Sequence, residues 1–184
     1  MDFAAARQNM VDCQILPNRV TDQRLISALS TVPREAFVPT EFKGVAYVDE
    51  AIPLGGGRYL MEPLVTARLV QAAEPKAQDL ALVIGCGTGY GAAVLSYLAG
   101  TVVAVESDGG LAKEANQILS GLGMDTVAVI EGHLERDTGS KPPMTLSSSM
   151  APSPMSPRPF SRSWPKEADW SPSFPKTASA RPCS

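Results

Sequence analysis

Residues 84–91, Ile-Gly-Cys-Gly-Thr-Gly-Tyr-Gly, lie between two apolar runs, Leu80–Ile84 and Ala92–Leu98. A further apolar run, Thr101–Val105, ends at Glu106, twenty-one residues after the first glycine of the turn. This order of strand, glycine-rich turn, helix, strand and acid is typical of the first half of a nucleotide-binding α/β domain. Glycines let the backbone approach a ligand closely, and the carboxylate can accept hydrogen bonds from a ribose diol.

The spacing of the glycines favours one cofactor over another. Gly85, Gly87 and Gly89 form a G-x-G-x-G pattern, and Tyr90 occupies the position where a dinucleotide fingerprint has its third glycine. Because S-adenosylmethionine has no pyrophosphate to cradle, the pattern favours this cofactor over NAD. An NAD-binding oxidoreductase is the weaker alternative. A strand–helix connection without a ligand, with Glu106 as a solvated carboxylate, is the structural alternative.

Composition limits the kinds of partner. The chain has 184 residues, a net charge of −3 and sixteen scattered Lys and Arg residues, so it lacks the basic surface expected of a nucleic-acid-binding protein. No run approaches the about 18 apolar residues of a membrane span, and the N-terminus does not resemble a signal peptide. Three distant cysteines suggest no metal site. We therefore expect a cytoplasmic protein with no metal, nucleic-acid or membrane partner.

Strands and helices alternate in the middle of the chain. Buried strands are predicted at Leu80–Ile84, Val102–Val105 and Val127–Ile130, with helices at Gly91–Leu98 and Gly110–Leu119 between them. Such alternation predicts an α/β domain with a parallel sheet and right-handed crossovers.

The preceding residues have a different pattern. Helical spacing is present in Asp2–Asp12, Asp22–Thr31 and Glu62–Ala73, the last with Pro63 in its first turn. Residues 41–53 are predicted to be extended, and the glycine-rich loop Leu54–Arg58 is predicted to line a site. We expect a helical N-terminal extension over residues 1–53 and half of an α/β domain over residues 54–140.

Residues 141–184 have another composition. They hold ten of the sixteen prolines and eleven serines, but no Val, Ile or Gly. A segment of this composition buries too little apolar surface to offset its ordering entropy, which predicts a disordered tail.

A shifted reading frame offers a second interpretation of this tail. When the last base of each codon is joined to the first two of the next, Met144 followed by Thr145 must give Asp, and Met150 followed by Ala151 must give Gly. The shifted line is compatible with Y-D-x-I-F-V-D-G-A and, further on, with A-E-G-G-R-L-V-A-V. Because these are a strand, a glycine turn and a second strand, we favour a one-base frameshift between about residues 132 and 140.

The nucleotide sequence of codons 132–144 tests this interpretation. We expect an inserted or lost base there, relative to a gene whose frame continues into the two strands. An intact frame in independent clones, encoding the same Pro/Ser-rich tail, would contradict the frameshift.

Several motifs resemble one known family. They are Met10-Val-Asp-Cys-Gln14, Val20-Thr-Asp22, Val32-Pro-Arg-Glu-Ala-Phe-Val-Pro39, Ala46-Tyr-Val-Asp49 and the turn at residues 84–91. In this order, over roughly residues 7–132, they resemble the protein-L-isoaspartate O-methyltransferases. The resemblance implies an α/β Rossmann-like parallel sheet of the class I methyltransferase type, incomplete at its C-terminal half, with a helical N-terminal extension.

The resemblance also implies a reaction. Members of this family transfer a methyl group from S-adenosylmethionine to the carboxylate of L-isoaspartyl residues in damaged proteins, and the ester then collapses to a succinimide. No protein nucleophile is required, since the protein mainly positions the reactants. The cofactor-binding residues implied here are Gly85, Cys86, Gly87, Thr88, Gly89, Tyr90, Glu106 and His133.

The chain departs from the family in three places. Where the family has Ile-Ser-Gln-Pro, this chain has Leu60-Met-Glu-Pro63. Met61 cannot donate a hydrogen bond and Glu62 would repel an anionic substrate, so the catalytic residues are left unassigned. The other departures are Val83 in place of an acid and Gly132-His133-Leu134 in place of Gly-Asp-Gly.

Two further alternatives follow from these departures and from the tail. One is a related methyltransferase with a different substrate. The other is a truncated, inactive remnant that retains half of a cofactor pocket, which we expect to bind S-adenosylmethionine weakly or not at all.

Overall fold

The computed structural model describes residues 1–132. His133, the proposed frame change and the Pro/Ser-rich residues 141–184 lie outside these described residues. The α-helices are α1 (Phe3–Met10), α2 (Gln23–Thr31), α3 (Pro63–Ala73), α4 (Tyr90–Leu95) and α5 (Gly109–Gly121). The strands are β1 (Ile52–Gly55), β2 (Arg58–Leu60), β3 (Leu80–Ile84), β4 (Thr101–Glu106) and β5 (Val127–Glu131).

The three predicted N-terminal helices are present. An Asp2 carboxylate oxygen caps α1 by accepting the Ala5 N–H at 3.0 Å, and the chain continues past Met10 as a π-helical turn. Asp22 caps α2 by accepting the Arg24 N–H at 2.8 Å. Helix α3 begins at Pro63, whose missing N–H is harmless in a first turn. Local capping signals therefore set these helix starts.

The prediction that residues 41–53 are extended is wrong for most of the segment. Thr40–Val45 is a 3₁₀ helix, turns follow it, and only β1 is extended. The 3₁₀ helix begins after Pro39, whose carbonyl accepts the Phe42 N–H at 2.9 Å. Because bonds three residues apart satisfy this backbone locally, the segment needs no strand partner.

The three predicted strands form one parallel sheet in the order β3–β4–β5. The prediction that all three are buried is wrong for β5, which has no buried residue among Val127–Glu131 because it is the edge strand of the sheet that the structure describes. Val83 pairs with Ala104, and Ala104 pairs with Val129, so the strands are in register across the sheet. The two predicted crossover helices are confirmed as α4 and α5, with bounds that differ by one to three residues. The parallel register brings the carboxyl ends of the strands to one edge, where the glycine turn also lies.

One apolar cluster contains residues of the N-terminal part together with residues of α4 and α5, the helices that connect the strands of the parallel sheet. Leu25 and Phe37 are fully buried in the same cluster as Tyr90, Leu98 and Leu119. The ring of Phe37 meets that of Tyr90 edge to face, with centroids 5.6 Å apart. The first 53 residues therefore cover the helix that follows the glycine turn. None of the helices within residues 1–132 is long and apolar enough to cross a bilayer.

Candidate functional site

The glycine turn adopts a conformation that favours glycine at three positions. Gly85, Gly87 and Gly89 have φ angles of +70°, +56° and +98°. The N–H groups of Gly85 and Cys86 both donate to the carbonyl of Val105 on β4, at 2.8 and 3.2 Å. The turn is therefore held against the neighbouring strand, and side chains at its three left-handed positions would be strained.

The predicted acid lies directly beside this turn. Glu106 is completely buried, and its Oε2 accepts the Gly87 N–H at 2.7 Å. Its Oε1 accepts the N–H groups of Ser107 at 2.8 Å and Asp108 at 3.2 Å. Parallel pairing explains the proximity, because β3 and β4 end together at this edge of the sheet.

The hydrogen bonds keep Glu106 charged. Burial alone acts to raise the pKa of Glu106, but backbone hydrogen bonds from Gly87, Asp108 and Ser107 and the charge of Arg58 together lower it. A buried, ionised carboxylate at the end of the second strand of a parallel sheet is an acceptor suited to paired hydroxyl groups.

A basic residue that the sequence interpretation did not assign completes the group. Arg58 Nη2 donates to Glu106 Oε2 at 2.7 Å across 48 positions of sequence. The predicted site-lining loop, Leu54–Arg58, is the tip of an antiparallel β1–β2 hairpin. One feature of the sequence indicates a role for Arg58 in the site, because it is the sole basic residue between Lys43 and Arg68.

The β1–β2 hairpin contacts the glycine turn closely. Arg58 Nη2 lies 3.0 Å from the point that a β-carbon on Gly85 would occupy. Leu54 Cδ1 lies 3.0 Å from the equivalent point on Gly87. Glycine at these two positions therefore permits the close contact with the hairpin as well as the left-handed backbone conformation.

Three predicted cofactor-binding residues direct their side chains into the protein. Thr88 Oγ1 donates to the Phe37 carbonyl at 2.6 Å, and Tyr90 is fully buried. Cys86 is buried, and burial, followed by the charge of Glu106, raises the pKa of its thiol to about 11. Thr88 and Tyr90 thus connect the turn to the N-terminal part. The thiol of Cys86 is protonated at neutral pH and packs as a small buried side chain.

Arg34 links the turn to the loop that contains Met61. Its buried guanidinium donates from Nε to the Ala46 carbonyl at 2.7 Å and from Nη2 to the Met61 carbonyl at 2.6 Å. It also lies over the Tyr90 ring, 4.8 Å from the centroid. Burial lowers the pKa of Arg34, but a guanidinium remains protonated. The sequence does not indicate this role for Arg34, since a charged residue, Glu35, follows it and both would be expected at the surface.

Met61 and Glu62, which stand where the family has Ser-Gln, lie directly before α3. The Met61 residue is 45% exposed, and Glu62 immediately precedes the helix without capping it. Asp49 instead accepts the Leu64 N–H at 3.1 Å. Among residues 1–132, no group of three His, Cys, Asp or Glu side chains could hold a metal ion. His133 lies outside this range.

Two glycine-to-alanine substitutions, two residues apart in the sequence, test the turn geometry. Gly89→Ala places a β-carbon at φ +98° and 3.1 Å from Leu119 Cδ1, so we expect a loss of about 2 kcal/mol or more in the free energy of unfolding. Gly91→Ala is the matched control, because it adds a β-carbon in open space within α4 and should stabilise by about 0.5–1 kcal/mol.

Urea denaturation of the two variants and the parent chain measures both effects. Equal stability of the Gly89→Ala variant and the parent would contradict the left-handed conformation at Gly89.

A family profile matches most of the chain. Residues 5–150 match the family described as protein-L-isoaspartate(D-aspartate) O-methyltransferase. A protein-L-isoaspartate O-methyltransferase 1 of Rhodopseudomonas palustris is 39% identical over 130 residues, covering 71% of this chain and 53% of that protein. A relative from Methanoregula boonei is 37% identical over 126 residues, covering 68% of this chain and 58% of that protein. The chain thus spans between half and three-fifths of the length of these relatives.

Solved structures agree with the sequence matches. A structure named protein-L-isoaspartate O-methyltransferase superposes with a TM-score of 0.60 at 26% identity, covering 68% of this chain and 42% of that one. A Plasmodium falciparum structure described as a protein-L-isoaspartate O-methyltransferase, in complex with S-adenosyl-L-homocysteine, gives a TM-score of 0.54 at 15% identity. It covers 72% of this chain and 63% of that one, and at this identity it supports the fold alone.

The fold expected from the resemblance is confirmed, with N-terminal helices preceding a parallel Rossmann-like sheet. The family profile and the two relatives agree with the motifs that carried the resemblance. This chain belongs to the protein-L-isoaspartate O-methyltransferase family.

Proposed function

We propose that this chain is an S-adenosylmethionine-dependent methyltransferase whose acceptor is the carboxylate of isoaspartyl residues in proteins or peptides. The observation that carries the proposal is the buried, ionised Glu106 hydrogen-bonded to the glycine turn. The family match over residues 5–150 favours this function over an inactive remnant. The protein or peptide substrate is the proposed partner, and the cytoplasm is the proposed location.

The described residues fit the cofactor at its nucleoside end. Gly85 and Gly87 have no side chains, so a ligand can approach the backbone of the turn closely once Arg58 and Leu54 move away, whereas Gly89 faces Leu119 in the protein interior. Glu106 supplies a negative acceptor for the ribose hydroxyls. Cys86, Thr88 and Tyr90 belong to this proposed site through their backbone and through the packing that shapes the turn, and His133 is proposed near the adenine.

The cofactor, when bound, supplies an electrophilic methyl group on a sulfonium centre. The protein's contribution is to align the acceptor oxygen with that methyl group, which requires no protein nucleophile. Arg34 suits this task, because it donates a hydrogen bond to the Met61 carbonyl and also lies over the ring of Tyr90 in the glycine turn. The relative placement of the acceptor and the cofactor therefore depends on a buried arginine.

A second candidate function is methyl transfer to a different acceptor. Met61 offers no hydrogen bond where the family has a serine, and Glu62 places a negative charge beside it. Asp49 lies at the same helix start, where it accepts the Leu64 N–H. This arrangement favours a neutral or cationic acceptor over a carboxylate.

Restoring the family's residues tests which acceptor is used. We expect the Met61→Ser, Glu62→Gln double variant to release methanol from an isoaspartyl peptide about tenfold faster than the parent chain, a change of about 1.4 kcal/mol in transition-state stabilisation. The reason is that the variant gains a hydroxyl donor and loses a repulsive charge near the acceptor.

Val65→Ser, on the exposed side of α3, is the matched control and should leave the rate unchanged. An aspartyl peptide of the same sequence measures the background. A double variant no faster than the parent on the isoaspartyl peptide would contradict this assignment of the acceptor site.

A further inference from the structure

All acceptor positions of the Glu106 carboxylate are occupied by the protein itself. Oε2 receives Arg58 Nη2 and the Gly87 N–H, both at 2.7 Å. Oε1 receives the Ser107 and Asp108 N–H groups and, at 3.4 Å, the Ser107 hydroxyl. A carboxylate offers about four lone-pair positions, so a ribose hydroxyl can bind only after one of these donors leaves.

Arg58 is the donor that can leave. Three of the others are backbone N–H groups, which are fixed by the turn and by the residues that join β4 to α5, and the fourth is the Ser107 hydroxyl, at the longer distance of 3.4 Å. The side chain of Arg58 is 30% exposed and reaches Glu106 from the end of a loop. Water can therefore solvate its guanidinium once it is displaced.

The hairpin is built so that its tip can move while its base stays in place. Ile52 and Leu60 pair across the base and are buried in the apolar core. Within the tip, the three glycines Gly55–Gly57 are exposed, and their φ angles are +92°, +56° and +75°. Glycines at the tip restrict its backbone little, because they lack the β-carbon that limits other residues.

We propose that the β1–β2 hairpin acts as a latch over the cofactor site, with Arg58 competing against the cofactor's ribose for Glu106. The inference rests on the proposed function, since it concerns the same cofactor. Only molecules in which Arg58 is released can bind the cofactor. The apparent affinity is therefore the affinity of the released form multiplied by the fraction of molecules in that form. Leu54 adds to the latch through its contact with Gly87.

Removing Arg58 should therefore tighten cofactor binding, where loss of an ordinary binding residue would weaken it. We expect Arg58→Ala to bind S-adenosylhomocysteine about three- to tenfold more tightly than the parent chain, as measured by isothermal titration calorimetry. Leu54→Ala, which loosens the hairpin without changing a charge, should tighten binding about twofold. Circular dichroism shows whether each variant folds. If Arg58→Ala does not fold, the affinity of Leu54→Ala tests the latch by itself.

Arg24→Gln is the matched control. Arg24 also forms an ion pair with a carboxylate, that of Asp22 at 3.1 Å, but it lies at the start of α2 and should leave the affinity unchanged. Affinity that is unchanged or weaker in both hairpin variants would overturn the latch while leaving the proposed function intact. If no folded chain binds S-adenosylhomocysteine, the proposed cofactor function fails and the latch fails with it.

Discussion

The buried hydrogen bond between the Gly87 N–H and the Glu106 carboxylate is the interaction on which the site depends. It joins the turn after β3 to the end of β4, and a charge buried this completely would be costly without such donors. Three backbone N–H groups, the Ser107 hydroxyl and one guanidinium supply them. The same bonds shape the turn and hold the acid in its charged form.

A second buried charge extends this arrangement into the N-terminal part. Arg34 binds two carbonyls and lies over Tyr90, and it makes no ion pair among residues 1–132. Phe37 packs against the same ring and accepts a hydrogen bond from Thr88. The N-terminal residues thus fix the helix that follows the turn and the loop at Met61 together.

Local patterns predicted part of this structure and long-range contacts decided the rest. The strands, the turn and the position of Glu106 follow from apolar periodicity and from the common edge at which parallel strands end. The folded segment after Pro39 was missed because its 3₁₀ bonds leave no clear periodicity. Tyr90 was predicted as a cofactor residue, but its side chain serves the core. The pairing of Arg58 with Glu106 could not be predicted, because it joins residues 48 positions apart.

The most direct test is a carbon-13 NMR titration of the Glu106 side-chain carboxyl, assigned by its absence in Glu106→Gln. The structure predicts a midpoint below the ordinary glutamate value of 4.5, because the charged form is hydrogen-bonded. The stability that this carboxylate provides is then complete above pH 4.5 and is lost as the pH falls through the lower midpoint. A midpoint at or above 4.5 in the folded chain would contradict the account, since it would mean that burial outweighs the turn's hydrogen bonds.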